Sequence, residues 1–254
     1  SKDLPYQLGG TIFMKFLKYF TFELRLRYRN PSQIFFVFIF PLFLMFAFSS
    51  SFGKSIPHYI ENNIASILLY SVLSASLTSL SVQIADHQSG KIYQLFVQRG
   101  IKKLFYIIAQ IVSFMIIIFC STLVILVVAH YAYDYEFPKL SLLILFYLKL
   151  YLYSIPFCLL AMIIGLLAKN TATASAIAMP LMFLSFFFSG MMIPLAQLSG
   201  GIRKIADNFF LTQLLSDLNH TLTSNYTVVP NWSRISLSVG LICLLALLVY
   251  RRKA

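Results

Sequence analysis

Six long runs of apolar, uncharged residues divide this chain, and they constrain its fold more than any other feature. They cover residues 34–53, 62–85, 104–133, 150–168, 171–193 and 235–250. A helix needs about 20 apolar residues to cross the hydrocarbon core of a bilayer. Because that core offers no water to backbone N–H and C=O groups, such segments cross it as helices. The pattern predicts an all-α membrane protein with six transmembrane helices, of which the fourth starts near residue 141 and the sixth is the shortest.

The composition favours lipid as the solvent and argues against a nucleic-acid partner. Of the 254 residues, 59% are hydrophobic and 11% are charged, which is more apolar surface than a soluble domain of this length can bury. The formal net charge of +12 would suit nucleic acid if it formed one patch. The basic residues instead flank the apolar runs, so we expect them to set the orientation of the chain in a membrane.

The distribution of lysine and arginine predicts that orientation. Six crossings place both termini on one side, and that side receives 14 of the 20 basic residues. Lys149 lies inside the fourth run, and five fall on the other side: Lys54, Lys139, Arg203, Lys204 and Arg234. Since basic residues accumulate in cytoplasmic loops, we expect a multi-pass protein of the cell membrane with both termini in the cytoplasm. The abundance of Ile, Lys, Asn and Phe is typical of a bacterium.

The segment before the first span, residues 11–33, predicts a helix that lies on the membrane surface. Phe13, Phe16 and Phe20 recur at helical spacing, while Lys18 and Arg25 fall on another face. An apolar face opposite a basic face suits a helix at the headgroup level, and an ordinary basic flank is the alternative. We therefore divide the chain into a cytoplasmic N-terminus with an interfacial amphipathic helix, 1–33, and a six-helix transmembrane domain, 34–254.

The cytoplasmic loop at residues 86–103, "DHQSGKIYQLFVQRGIKK", is long and carries its own apolar stripe. Ile92, Leu95 and Phe96 form this stripe between Gly90 and Gly100. A short helix with an apolar face must bury that face on the lipid surface or on a soluble partner, and we favour the partner.

The stretch "SGMMIPLAQLSGG" at residues 189–201 interrupts the fifth run without becoming a polar loop. Beyond it, apolar residues repeat every three or four positions: Leu195, Leu198, Ile202, Ile205 and Phe209. A second short apolar run follows at 210–218. Gly190 and Pro194 thus predict a turn, after which the chain re-enters the outer leaflet as a helical hairpin, residues 194–218, that forms a lid. Such a segment is tolerated only where protein or a wet cavity satisfies its backbone.

These three segments, in this order, resemble the membrane subunit of a bacterial ABC exporter, the ABC-2 type permease of the drug or peptide export type. "RLRYRNPSQIFFVFIFPLFLMF" is similar to the family's entry into its first span, and "FFFSGMMIPLAQLSGGIRKIADNFFLTQLLSDL" is similar to its stretch before the last span. The loop keeps Asp86 for the first acid of the family pattern but has Gln88 for the second and Arg99 for a proline. Asn208-Phe209 replaces the usual Asn-Pro.

The resemblance implies the roles of two groups of residues. It implies a coupling helix that contacts an ATP-binding subunit through Asp86, Gly90, Gln94, Leu95, Phe96, Val97, Gln98 and Arg99. It implies a re-entrant lid built on Gly190, Pro194, Leu198, Ile202 and Phe209. The implied partners are two copies of the ATP-binding subunit and a second permease subunit, identical or not, with membrane lipids around them.

No chemistry of its own is expected from this chain. "SGKIY" at residues 89–93 lacks the first glycine and the hydroxyl residue of a Walker A phosphate loop. We therefore expect ATP and Mg²⁺ to be bound by the partner ATPase subunit, and no cofactor here. The four histidines have no metal-ligand spacing. Ser189 lacks a histidine partner and a nucleophile setting, so we predict no catalytic residue, and the chain is not expected to be an enzyme.

Lys149, in "FYLKLYLYSIPF", is the one ionisable residue well inside an apolar run. A buried charge at that depth faces a cavity, or else the span starts later and the lysine extends outward to the membrane surface. Tyr147 and Tyr151 are four residues apart and share a helix face. These three residues are the candidates for a translocation path.

The predicted function is that of the permease subunit of an ATP-driven exporter that moves a lipophilic or amphipathic substrate, such as a drug or an antimicrobial or toxin peptide, out of the cell. Two alternatives stay open at this point. One is a subunit that exports polysaccharide or glycolipid, since aromatic residues also suit sugar. The other is a membrane immunity or sensor protein without a transport role.

Overall fold

The computed structural model describes residues 31–90, 103–224 and 226–253, together with Met14, Leu17, Lys18, Phe20, Thr21, Arg25 and Gln98. Within these residues the chain is helical and has no strand. Six helices are long and apolar enough to span a membrane, as the six runs predict. The six isolated positions from Met14 to Arg25 are helical, and the rest of the predicted interfacial helix lies outside the described residues.

Short connections join span 1 to span 2, span 3 to span 4 and span 4 to span 5. Span 1 is a continuous helix made of Pro31–Ile34, a π-helical turn Phe35–Ile39, and Phe40–Phe52. Span 2 comprises Tyr59–Leu73, a π-helical stretch Ser74–Leu80, and Ser81–Ser89. Spans 3 to 6 are Lys103–Tyr133, Leu140–Leu167, Thr171–Phe188 and Trp232–Lys253. Between spans 5 and 6 lie a short 3-10 turn, Leu195–Gln197, the first lid helix, Gly200–Asn208, and the second lid helix, Phe210–Thr223.

Three predicted boundaries are wrong. Span 5 ends at Phe188 rather than at residue 193, because Gly190 adopts a left-handed φ of 78° that an α-helix cannot continue. Span 6 is 22 residues long, so it is not the shortest, because its polar ends join the helix. Span 2 extends to Ser89, so Asp86 belongs to the span and not to the loop after it.

Span 2 is the centre of the bundle. In the most apolar 18-residue stretch of this span 94% of the residues are buried, whereas the corresponding stretches of the other five spans are 17–44% buried. It contacts spans 1, 3, 4 and 5 and the second lid helix, whereas span 6 packs on span 4 and on the second lid helix. Small polar residues at Ser71, Ser74, Ser76 and Ser79 are buried along it, and small side chains let helix backbones approach closely within a membrane.

The π-helical turns of spans 1 and 2 contact each other. A π-helical turn changes the hydrogen-bond partners of its backbone groups, and span 3 supplies a side-chain donor to one of them. Ser121 Oγ donates to the carbonyl of Val37, 2.5 Å away in the turn of span 1, and lies 3.0 Å from Ser71 Oγ of span 2. One hydroxyl of span 3 therefore connects the first three spans.

Candidate functional site: the lid and its attachment to span 4

A buried ion pair joins the second lid helix to span 4. Lys149 Nζ lies 2.8 Å from Asp217 Oδ2, and the two side chains are 27% and 5% exposed. Lys149 is nine residues from the start of span 4 at Leu140, which is roughly 14 Å along the helix axis. Lys149 therefore points into the bundle, where its ammonium is held by a carboxylate, and its depth in a bilayer stays a prediction.

Two hydroxyl groups add hydrogen bonds to this pair. Tyr153 Oη, one turn further along span 4, donates to Asp217 Oδ2 at 2.6 Å. Lys149 Nζ donates to Thr221 Oγ1 at 3.0 Å, and Thr221 Oγ1 donates to the carbonyl of Asp217 at 2.9 Å. A buried charge is tolerated when it is paired and its remaining valences are hydrogen-bonded. We call Lys149, Tyr153, Asp217 and Thr221 the lid clamp.

The second lid helix buries its polar face instead of exposing it. Thr212, Gln213, Ser216 and Asp217 are each at most 3% exposed. Gln213 Nε2 donates to the carbonyl of Asp207, 3.1 Å away. Ser216 Oγ donates to the carbonyl of Val228 at 2.6 Å. Polar side chains of this helix thus donate hydrogen bonds to backbone carbonyls in the segments before and after it. Buried polar groups require such partners.

The second lid helix begins deep beside span 4. The rings of Phe157 and Phe210 stack with their centroids 5.6 Å apart, and Phe157 is 17 residues from the start of span 4, roughly 26 Å along its axis. Asp217 and Thr221 then contact Lys149, closer to that start. The helix therefore rises toward the side opposite the termini. The re-entrant placement of residues 194–218 in a bilayer stays a prediction, and this slope is the geometry that it requires.

The turn after span 5 is fixed by its neighbours. Tyr70 Oη of span 2 donates to the carbonyl of Met191, and Thr212 Oγ1 of the second lid helix donates to the carbonyl of Phe188, 3.1 Å away. At Gly190 a Cβ atom would lie 2.6 Å from Leu195 Cγ. A glycine is required here both for the left-handed backbone and for this close approach.

The apolar stripe predicted for residues 195–209 is not one helix face. Leu198 and Ser199 are extended, so the stripe breaks before the first lid helix begins at Gly200, and Phe209 lies between the two lid helices. Within the first lid helix Ile202 and Ile205 are 40% and 59% exposed. Their side therefore faces away from the rest of the described chain.

Tyr147 and Tyr151 lie on a different face of span 4 from the clamp. Tyr147 Oη is 3.0 Å from Thr122 Oγ1 of span 3, and Tyr151 Oη donates to the carbonyl of Met115 at 3.3 Å. Both tyrosines therefore contact span 3, whereas Lys149 contacts the lid. The structure does not bring the three path candidates onto one surface, and their role in translocation stays a prediction.

At the end of the bundle that holds the termini, spans 2 and 4 touch without a gap. A Cβ atom at Gly165 would lie 2.7 Å from both Ile84 Cβ and the carbonyl oxygen of Ser81. In the amide orientation that satisfies both of its ends, Gln88 donates to the carbonyls of Leu166 and Gly165, at 3.1 and 3.2 Å. These carbonyls belong to the last turn of span 4, and the last carbonyls of a helix have no N–H partner within that helix.

This contact lies next to the predicted coupling residues. Asp86 is exposed on the last turn of span 2, Gly90 ends that helix, and Gln98 is helical and exposed. The other predicted contacts, Gln94, Leu95, Phe96, Val97 and Arg99, lie outside the described residues. The role of this loop in docking stays a prediction.

The sequence comparison decides the family. A family model described as ABC-2 type transporter matches residues 15–218, which include spans 1 to 5, the loop between spans 2 and 3, and most of the two lid helices. The chain belongs to the ABC-2 type transporter family. No curated protein matches this permease by sequence. It is a multi-pass membrane protein and the permease subunit of an ABC transporter, and the family implies an assembly with an ATP-binding subunit.

Sequence reasoning missed three of the four clamp residues. It singled out Lys149 but not Asp217. The signal was present: Asp217 is the one acid in the apolar run at 210–218, and two opposite charges in apolar segments of one membrane protein are candidates for a pair. Tyr153 and Thr221 carried no separate signal, because hydroxyl residues at helical spacing are common in spans.

Proposed function

We propose that this permease exports a lipophilic or amphipathic molecule, such as a drug or an antimicrobial or toxin peptide, through a bacterial cell membrane. Two copies of an ATP-binding subunit on the cytoplasmic side bind ATP and Mg²⁺ and supply the energy. A second permease subunit, identical or not, completes the membrane part. The chain itself contributes no catalytic group.

The observation that carries this proposal is the clamped lid in a member of the ABC-2 family. The first lid helix presents Ile202 and Ile205 outward, while Arg203 and Asp207 form an ion pair of 2.7 Å on its polar side. An amphipathic helix of this kind at the membrane boundary suits the release of a molecule that has an apolar and a polar part.

Motion would reach the lid along span 4. Closure of the ATP-binding subunits moves the loop at 91–102 and, with it, the end of span 2. Because span 2 meets span 4 without a gap at Gly165, the push passes to span 4. Lys149 is 16 residues from Gly165, roughly 24 Å along the helix, and its ion pair with Asp217 transfers the displacement to the second lid helix.

The docking part of the proposal is tested by placing a charge on the apolar stripe of the loop. We expect Leu95→Asp and Phe96→Asp each to weaken co-purification of the ATP-binding subunit about tenfold or more, because each puts a charge into an apolar contact. Leu140→Asp is the matched control. Leu140 is 71% exposed at the first turn of span 4, on the opposite side, where an acid suits the helix N-terminus.

The transport part is tested with the permease and its ATP-binding subunit in inverted vesicles. We expect ATP-dependent uptake of a fluorescent amphipathic peptide, lost in the Leu95→Asp variant and kept in Leu140→Asp. Uptake of the peptide by the permease without any ATPase subunit would contradict the proposal. So would an ATPase that stays bound and coupled in both loop variants.

A further inference from the structure

The described positions of the segment before span 1 present one exposed helix face. Five of them are helical and exposed: Met14, Leu17, Lys18, Thr21 and Arg25. An α-helix turns by about 100° per residue, so these five positions fall within an arc of roughly 100°. The half-buried Phe20 falls outside this arc. The exposed face therefore carries two apolar side chains beside two cations, and it is the face that a ligand from outside the chain would meet.

A cavity of about 280 Å³ lies along this face, and four described residues line it: Leu17, Lys18, Thr21 and Arg25. None of these four is acidic. Lys18 and Arg25 are seven residues apart, which places them on one side of the helix and roughly 10 Å apart along its axis, with Thr21 between them. Thr21 Oγ1 donates to the carbonyl of Leu17 at 2.8 Å, so its hydrogen is used within the helix. The donors that this part of the wall offers to a ligand are therefore those of the two cations.

The charge of the segment indicates an anionic ligand. Residues 11–33 contain five basic side chains and one acid. A cluster of this size on an amphipathic helix next to a span is the sequence pattern of anionic lipid recognition. The guanidinium of Arg25 and the ammonium of Lys18 both bind phosphate oxygens. The predicted orientation places this segment at the cytoplasmic leaflet, whose anionic lipids give it a negative surface potential.

The apolar part of the same face favours a lipid over a free anion. Met14 and Leu17 are 55% and 46% exposed, and the acyl chains of a lipid would cover them, whereas inorganic phosphate would leave them in water. The cavity is slightly smaller than the usual site for a small molecule. It therefore suits a head group whose chains remain in the bilayer.

We propose that Lys18 and Arg25 bind the phosphate of an anionic phospholipid, with Met14 and Leu17 against its acyl chains. The bound lipid attaches the segment that precedes span 1 to the cytoplasmic leaflet. The inference rests on the predicted position of this segment at the membrane surface. It does not require the proposed export, since the lipid acts here as a resident ligand and not as the transported molecule.

The experiment measures lipid retention on the full chain in detergent, without ATP. Phosphatidylglycerol and phosphatidylcholine with the same acyl chains are added together in equal, limiting amounts, so that the strongest sites fill first. Native mass spectrometry counts the bound copies of each lipid. We expect the wild type to retain phosphatidylglycerol preferentially. Lys18→Gln and Arg25→Gln should each lower this preference about three- to fivefold, the contribution of one basic residue at an anionic lipid surface.

The matched control removes the same charges elsewhere on the same side. Lys169, in the turn between spans 4 and 5, and Arg252, at the end of span 6, are exposed. The double variant Lys169→Gln, Arg252→Gln should keep the lipid preference that the double variant Lys18→Gln, Arg25→Gln loses. All four side chains are exposed, so both double variants should melt at the wild-type temperature in phosphatidylcholine. This measurement separates the loss of a lipid site from the loss of the fold.

Three results would overturn the inference. The first is an unchanged preference for phosphatidylglycerol in the double variant Lys18→Gln, Arg25→Gln. The second is an equal loss in the two double variants, which would show a general attraction to positive charge. The third is displacement of phosphatidylglycerol by millimolar inorganic phosphate, which would show that the site takes a free anion. None of these measurements involves transport, so a failed export assay with intact lipid selectivity would refute the proposed function alone.

Discussion

Removal of the Lys149 charge should destabilise the permease more than removal of the Asp217 charge. At 2.8 Å and an effective dielectric constant of 20, the two charges attract each other by about 6 kcal/mol, against which stands the cost of their desolvation. Lys149→Met leaves a carboxylate that is 5% exposed with Tyr153 as its remaining side-chain partner, at a cost of about 3 kcal/mol. Asp217→Asn leaves an ammonium that is 27% exposed and can extend toward water, at about 1–2 kcal/mol.

The double variant Lys149→Met, Asp217→Asn should recover most of this loss and fall within about 1 kcal/mol of the wild type, because no unpaired charge is left inside. Thermal unfolding followed by circular dichroism in nanodiscs measures the effect, and about 3 kcal/mol corresponds to a melting temperature roughly 6–12 °C lower. Asp207→Asn is the control: it breaks the half-exposed Arg203–Asp207 pair and should cost at most about 0.5 kcal/mol. Single-variant losses that simply add in the double variant would refute the clamp.

Three further predictions concern the packing around the site. Gly165→Ala should cost about 1–3 kcal/mol, since its Cβ would meet span 2 backbone at 2.7 Å, and Gly240→Ala, which has open space around it, should cost nothing in the same unfolding assay. Gly190→Ala should cost about 1–2 kcal/mol because of its left-handed φ, while Gly201→Ala in open space should be neutral. Burial raises the pKa of Tyr135, in the loop between spans 3 and 4, to about 12. The stability that depends on its neutral phenol is therefore complete below pH 10 and is lost as the pH rises to 12. Tyr135→Phe has no phenol to ionise, so it should resist unfolding at pH 11 better than the wild type.

The six spans could be predicted because their signal is local. A charge-free run of about 20 residues is readable without knowledge of its neighbours, and the spans were found at the predicted places. The ends were less readable. Span 5 stops at Phe188 although the apolar residues continue, because the backbone conformation of Gly190 and not hydropathy ends the helix.

The site was less predictable because it depends on pairs of distant residues. Lys149 and Asp217 are 68 positions apart and share no periodicity, so only the packing of the second lid helix on span 4 brings them together. A pocket beside the lid helices joins residues at the start of span 2, in the turn after span 5 and before span 6, and no local sequence pattern predicts such a convergence. The π-helical turns of spans 1 and 2 were likewise not readable from apolar runs.

In the proposed mechanism, an ion pair that holds the lid has a physical advantage over apolar packing. Inside a membrane, apolar contacts such as those of Phe157 and Phe210 can be replaced by contacts with lipid at little cost, so they fix the position of a helix weakly. A buried, hydrogen-bonded ion pair fixes one register. The strength of the ion pair also depends on the exclusion of water. At 2.8 Å the attraction is about 6 kcal/mol at a dielectric constant of 20 and falls to about 1.5 kcal/mol in water. In the proposed mechanism, water that enters as the lid opens would therefore weaken the clamp, and opening would become an all-or-none event.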